Sequence, residues 1–191
     1  MTPASIPWTT DEDANRLLAV DANALLIGFV LDQQVPVQKA FAGPKVLLER
    51  LGHLDPARIA AMDEAAFVAV CVERPAIHRF PANMARRVQA LCRVIAADYG
   101  DDGSRVWTEA TDGADLYARI GSLPGFGAMK INSLAMLLHR RYGVDLPGLD
   151  ALLPSHPVLG GVTTAEELAA YQAHKRAMKA AARTAGTLGV T

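Results

Sequence analysis

The chain has 191 residues, enough for one domain or two small lobes with a substantial core. Hydrophobic residues make up 51% of it and charged residues 20%, which excludes wholesale disorder. The formal net charge of −1 gives no global argument for a nucleic-acid partner, and no apolar run reaches the eighteen or so residues of a membrane span. Residues 1–14 contain acidic residues and no Lys or Arg, which is unlike a signal peptide, so we expect a cytoplasmic protein.

Helical periodicity runs through almost the whole chain, and no useful β-alternating run interrupts it. We expect helices in "TTDEDANRLLAV", with a capping box from Thr9 to Glu12, and in "ANALLIGFVLDQQ", capped by Asp21. The next helix, "VQKAFAGPKVLLERLG", should break at Gly43–Pro44. Further helical segments are "DEAAFVAVCV", "PANMARRVQALCRVIAADYG", "DGADLYARIG" and the C-terminal segment from Thr164. The sequence therefore predicts an all-α protein of about eight to ten helices.

The cysteines and histidines give no sign of a metal site. Cys71 and Cys92 lie in apolar helical patterns, so we expect two buried, reduced thiols. Two cysteines are too few for a cysteine-ligated iron–sulfur cluster or a closed zinc site. The five histidines have no paired spacing, and we expect each at the surface or at a helix cap. We predict no metal and no cofactor.

The stretch "LPGFGAMKINSLAMLLHRRYG", residues 123–143, places two glycines two positions apart before an apolar helix. Glycines at Gly125 and Gly127 let the backbone turn tightly and leave N–H groups free at the start of the next helix. Those donors and the helix dipole favour a phosphate oxygen. An ordinary turn between two helices is the alternative interpretation of this pattern.

A series of segments in the same order resembles the helix-hairpin-helix superfamily of base-excision DNA glycosylases, nearest its alkylpurine-glycosylase branch. "ALLIGFVLDQQVPVQKAF" resembles that family's first core helix and following loop, and "HRFPANMARRVQAL" its basic helix before the hairpin. "LYARIGSLPGFGAMKINSLAMLL" resembles the hairpin itself. The resemblance implies two helical lobes, residues 20–142 and residues 1–19 plus 143–191, with the DNA site in the cleft between them.

The resemblance implies a monomeric DNA-repair enzyme that acts on double-stranded DNA. It would be a monofunctional N-glycosylase that flips out a damaged purine and hydrolyses its N-glycosidic bond with water. Bifunctional members carry a nucleophilic lysine two residues after the second hairpin glycine, where this chain has Met129. Lys130 is one position further, about 100° round a helix, so we do not expect it to take that role. The DNA contacts implied by the hairpin are Gly125, Phe126, Gly127, Met129 and Lys130.

The family also requires an aspartate in the loop after the second hairpin helix, where a carboxylate stabilises the positive charge on the sugar. Asp145 in "GVDLPG" resembles that pattern better but requires a loop shorter than the family's usual one. Asp150 in "GLDALL" lies slightly beyond the expected position. We expect Asp145, with Asp150 as the alternative. The alternative for each residue is an aspartate that caps a turn or helix, and Asp150 before "ALL" fits that alternative well.

Other residues are implied at the same cleft by the resemblance. Gln34 occupies the position of the side chain that fills the gap left by the extruded base, with Gln33 beside it; both are also plausible caps of the preceding helix. Trp8 and Trp107, flanked by polar residues, are candidates for a stacking pocket. The competing hypotheses are a non-catalytic DNA-binding module that has lost the aspartate and, third, a helical protein-interaction domain.

Overall fold

The computed structural model describes residues 3–188, and this part of the chain is helical with no strand. The all-α prediction is therefore confirmed. Eleven α-helices are present in it: α1 Glu12–Val20, α2 Ala22–Leu31, α3 Val37–Leu51, α4 Pro56–Ala61, α5 Glu64–Val72, α6 Pro81–Tyr99, α7 Arg105–Thr108, α8 Gly113–Ser122, α9 Ala128–Leu137, α10 Leu149–Leu152 and α11 Ala165–Leu188. A π-helical turn, Leu138–Tyr142, extends α9, and a 3₁₀ turn spans Leu159–Gly161.

Helix α2 is the centre of the hydrophobic core. Its eight residues from Ala24 to Leu31 are all buried, so it has no polar face. Asp21 caps it as expected, because its carboxylate accepts a hydrogen bond from the Ala24 N–H at 2.9 Å. Helices α1, α3 and α6 pack around α2 and shield it from solvent.

Two local predictions along the first three helices are wrong. The cap of α1 is Asp11 and not Thr9, because the Asp11 carboxylate accepts from the N–H groups of Asp13 and Ala14. Helix α3 runs through Pro44 without ending. The Gly43–Pro44 pair is buried against α2, where a Cβ on Gly43 would come within 2.4 Å of Leu31 Cδ1. Close packing of the two helices therefore outweighs the backbone hydrogen bond that Pro44 cannot make.

The irregular segment 143–162 is packed on both sides of the hairpin. The Gly113 N–H donates to Pro147 O at 2.9 Å, which brings the start of α10 onto the start of α8. On the other side, Gly160 lies so close to α9 that a Cβ there would come within 1.7 Å of Ser133 O. Only glycine fits at that position. The segment is therefore part of the packed structure, and it carries the chain from α9 to α11.

Hydrogen bonds join the N-terminal residues to the end of the hairpin's second helix, and α11 to α3. The hydroxyl of Tyr142 donates to Ala19 O at 3.0 Å, and Arg141 donates to Ser5 O at 2.9 Å. Helix α11 is joined to α3 by a reciprocal pair of amide hydrogen bonds between Gln38 and Gln172, at 3.2 and 2.9 Å. These contacts place α11 beside the loop that follows α2.

Candidate functional site

The hairpin turn lies between α8 and α9 and leaves the start of α9 without a side-chain cap. Gly125 has φ +86°, in the left-handed region that glycine adopts without strain. Gly127 is the N-cap residue of α9, and a Cβ there would have no atom within 4 Å. Phe126, between them, is buried under the turn. The Lys130 N–H already donates to Gly127 O at 2.9 Å, so the N–H groups at the start of α9 that remain for an outside acceptor are those of Ala128 and Met129.

A second turn, residues 32–36, lies next to the hairpin. A Cβ on Gly125 would lie 4.0 Å from Gln33 Nε2, so the two turns nearly touch. Gln33 is held at both ends of its side chain: Nε2 donates to Val30 O at 3.0 Å, and Oε1 accepts from Arg87 Nη1 at 2.7 Å. Gln33 therefore caps the C-terminus of α2, which is the structural interpretation that the sequence left open.

His78 also holds this turn, through a hydrogen bond to the backbone of Gln33. Its Nδ1 accepts a hydrogen bond from the Phe80 N–H at 3.0 Å. Its Nε2 therefore carries the proton and donates to Gln33 O at 2.7 Å. Burial lowers the pKa of His78, as do the nearby Arg79 and Lys39, while its hydrogen bond to Gln33 opposes that shift. The expectation that every histidine lies at the surface or at a cap is wrong for this residue, which is only 2% exposed.

Gln34 is exposed at the tip of this turn and has φ +56°. A non-glycine residue in the left-handed region is uncommon and costs about 1 kcal/mol or more. The anchored neighbour Gln33 holds the backbone there. Gln34 is consequently both exposed and one of the residues that border the space between the two turns.

The two turns and α11 enclose a cleft of about 860 Å³. Six of the seven DNA contacts predicted from the sequence line it: Gln33, Gln34, Gly125, Gly127, Met129 and Lys130. Phe126 does not, because its ring is buried beneath the turn. The structure therefore gathers into one cavity the residues that the sequence placed about one hundred positions apart.

Lys130 from the hairpin and Asp32 from the second turn are charged residues that line this cleft. Met129 is 69% exposed, whereas Lys130 is half-buried, with Nζ 3.4 Å from Val30 O and 5.9 Å from the centre of the Phe126 ring. Burial lowers the pKa of Lys130 to about 8, although the Asp32 carboxylate acts in the opposite direction. The 100° offset between Met129 and Lys130 thus does not turn the lysine away from the cleft.

A first difference from the expected site is that the two aspartates predicted to be catalytic do not line the cleft. Asp145 and Asp150 are both exposed. The segment that carries them turns towards α8, because Pro147 O binds the Gly113 N–H and Leu149 packs against Gly113. Asp150 lies beside His139, with Oδ1 3.6 Å from Nε2. From the segment 143–162, it is Leu159 that reaches the cleft.

The two tryptophans do not form a pocket in this cleft, which corrects a second expectation. Trp8 is 0% exposed and packs edge-on against Phe29 and Phe41, with ring centres 5.7 and 4.6 Å away. Trp107 is 6% exposed and packs against Tyr142 at 6.0 Å. Polar flanking residues suggested exposure, but both indoles serve the core.

Among the cleft residues that the sequence did not single out, Asp32, Tyr171 and Lys175 bring a charged or phenolic side chain. Lys175 belongs to the basic run 174–183, and that run was the available signal. Asp32 carried a weaker signal as the first charge after the apolar run of α2. Tyr171 gave none, since an isolated tyrosine on a helix is usually a packing residue.

Two other features of the described residues complete the description of possible sites. A second cavity, of about 500 Å³, lies on the other side of Tyr171 and is bordered by Arg140, His156 and His174. No group of three or more His, Cys, Asp or Glu side chains within residues 3–188 is arranged to hold a metal ion. Cys71 and Cys92 are buried as expected, and burial raises the pKa of each thiol to about 12.

In the same range, no single helix is both long and apolar enough to cross a membrane. The pair α1 and α2, bent by 114°, meets that requirement by length and composition only. Comparison of the chain with protein-family models, with curated proteins and with solved structures found no match in any of the three.

Proposed function

We propose that this protein binds double-stranded DNA at the hairpin cleft and holds an extruded nucleotide there, as a DNA-repair protein does. The observation that carries the proposal is the shared cleft. An uncapped helix N-terminus preceded by Gly125 and Gly127 lies against the turn that presents Gln34. Neither feature alone is specific, but together they supply a phosphate contact and a gap-filling side chain in one place.

The phosphate contact follows from the start of α9. Its first N–H groups have no partner within the helix, and the helix dipole adds a partial positive charge. Because Gly127 has no side chain and open space around it, a phosphate oxygen can approach these donors closely. Lys130 and Lys175 line the same cleft and add positive charge to it. Such contacts hold a duplex without reading its sequence.

The gap-filling role of Gln34 follows from how firmly its turn is held. Gln33 is fixed by Val30 O, Arg87 and His78, so the exposed residue Gln34 follows a firmly held neighbour. An extruded nucleotide leaves a gap in the stack, and a side chain that enters the gap prevents its return. In this proposal, the cleft lies between a lobe of residues 20–142 and a lobe of residues 1–19 and 143–191.

Two substitutions at Gly127 test the phosphate contact. Asp is a preferred N-cap residue, so in Gly127→Asp the carboxylate should occupy the free N–H groups and stabilise α9 by a few tenths of a kcal/mol. The same carboxylate should exclude phosphate and weaken duplex binding by roughly tenfold or more, as loss of a charge-assisted contact does. The measurement is fluorescence anisotropy of a labelled duplex, with circular dichroism to follow helicity.

Gly127→Ala is the matched control. The φ of −91° at Gly127 suits any residue, and the space beyond its Cα is open, so alanine should fold and should leave the N–H groups free. Binding close to that of the wild type is expected. A folded Gly127→Asp variant that binds as tightly as Gly127→Ala would contradict the phosphate contact.

N-glycosylase activity on a modified purine is the second candidate function, and the cleft position of Asp32 favours it. Hydrolysis needs a carboxylate near the sugar, where it stabilises the positive charge as the base departs with the bonding electrons and water adds at the same carbon. Asp145 and Asp150 are outside the cleft, whereas Asp32 lines it, half-buried, near Lys130. This reaction needs no redox cofactor.

The test is a panel of duplexes, each with one modified purine, assayed for released base and for alkali-labile abasic sites. Asp32→Asn keeps the shape of the side chain and removes its charge, so the rate should fall by about 10²–10³. Asp145→Asn and Asp150→Asn should keep the wild-type rate. If Asp145→Asn or Asp150→Asn lowered the rate of base release and Asp32→Asn did not, the role of Asp32 would be refuted. If the wild type released no base from any duplex, DNA binding would remain as the proposed function.

A further inference from the structure

Helix α11 crosses the open side of the cleft and is held there at two points. Leu168, one turn before Tyr171, is buried in the core, and the amides of Gln172 and Gln38 bind each other reciprocally at 3.2 and 2.9 Å. Because α3 follows the Gln34 turn directly, the amide pair sets the distance between α11 and that turn. The helix is therefore a wall of the cleft in a defined position.

Two side chains one helical turn apart project from α11 into the cleft. Tyr171 and Lys175 both line it, and Lys175 Nζ lies 5.3 Å from the centre of the Tyr171 ring. Tyr171 also borders the second cavity, so part of its side chain faces each of the two spaces. An aromatic ring with a cation above it, in a cleft whose opposite wall is the phosphate-binding turn, suits a nucleotide: the ring can stack on a base and the cation can pair with its phosphate.

We propose that α11 is a second nucleic-acid contact, in which Tyr171 stacks on the extruded base and Lys175 pairs with a phosphate of the same strand. This inference rests on the proposed function. In the proposed function, the N-terminus of α9 binds the DNA backbone on one side of the cleft. Helix α11 lies on the other side and would contact the part of the strand that the hairpin does not hold. Nucleic acid is the partner that we infer, since each nucleotide carries both a base that can stack on Tyr171 and a phosphate that can pair with Lys175.

The stacking contact is tested with Tyr171→Leu and Tyr171→Phe. Leucine keeps an apolar side chain but removes the ring, and phenylalanine keeps the ring. Binding is measured by anisotropy with a labelled duplex that carries a single mismatched, and hence easily extruded, base. Tyr171→Leu should weaken binding about tenfold, within the range for loss of one base–aromatic stack, and Tyr171→Phe should bind like the wild type. Tyr171→Leu should also lose most of the preference for the mismatched duplex over the fully paired one.

The phosphate contact is tested with Lys175→Gln and with its neighbour on the same helix. Lys175→Gln should weaken binding about threefold to tenfold and reduce the slope of log affinity against log salt by about one. Arg176→Gln removes the same charge from an exposed position that does not line the cleft, so it should weaken binding less than twofold. Equal losses in the two variants would mean that α11 acts only through diffuse charge, which would overturn the contact.

The outcomes separate this inference from the proposed function. If Gly127→Asp loses binding while Tyr171→Leu and Lys175→Gln do not, the hairpin contact stands and the α11 contact is refuted. If polyglutamate displaces the duplex from the wild type as effectively as unlabelled duplex does, the partner class is wrong. A wild type with no measurable affinity for either duplex would overturn both proposals.

Discussion

At the scale of single residues, His78 connects pH to the turn that presents Gln34. Its pKa is lowered in the folded protein, mainly by burial, so the folded state binds fewer protons than the unfolded state between the lowered value and 6.5. The stability that neutral His78 provides is therefore complete above pH 6.5 and is lost as the pH falls through the folded pKa. Protonation would also put a proton on Nδ1, which now accepts from the Phe80 N–H.

Urea unfolding of the wild type and of His78→Gln at several pH values measures how the free energy of unfolding depends on this residue. At about pH 7.5 the variant should be less stable by about 1 kcal/mol or more, since it removes a buried hydrogen-bonded ring. The difference in unfolding free energy should shrink towards about pH 5, because below pH 6.5 protonation of His78 in the unfolded state lowers the stability of the wild type and the variant has no such group. His53 also has a pKa lowered by burial and leaves a residual slope in both proteins. A difference that stays constant with pH would refute the role of His78.

At the scale of helices, the sequence predicted the elements well and some of their boundaries poorly. Helix α2 could be predicted from its apolar run and from Asp21, because both signals are local. The same holds for α6, with Pro81 in its first turn and Gly100 after its end. The break at Gly43–Pro44 was wrong because contact with Leu31, from a different helix, decided it. Local rules fail where a partner distant in sequence supplies the energy.

The segment 143–162 shows the same limit with larger consequences for the site. Its prolines and glycines indicated an irregular stretch, and that is what it forms, apart from α10 and one 3₁₀ turn. Its direction could not be predicted, because it depends on the close approach of Gly113 to Leu149 and of Gly160 to Ser133. Those two contacts turn Asp145 and Asp150 away from the cleft and bring Leu159 to it.

At the scale of the whole molecule, the candidate site was predicted in part. The hairpin and the Gln33–Gln34 turn were identified because each has a compact local signature, and the structure places them in one cleft. The third wall, with Tyr171 and Lys175, lies more than forty residues beyond the hairpin turn, and no local pattern relates the two. The cleft is thus assembled from segments at the start, middle and end of the chain. In the proposed function, these segments are three separate points of contact for DNA.

The central claim is that DNA binds in this cleft, and amide chemical shifts of the wild type titrated with a short duplex test it most directly. If DNA binds there, the largest changes should fall at Gln33, Gln34 and residues 125–130, with smaller changes at Tyr171 and Lys175. Helices α4 and α5, which contribute no residue to the cleft, should show little change. Changes confined to other surfaces, or a titration in which no amide of the hairpin turn shifts, would show that DNA does not bind in this cleft.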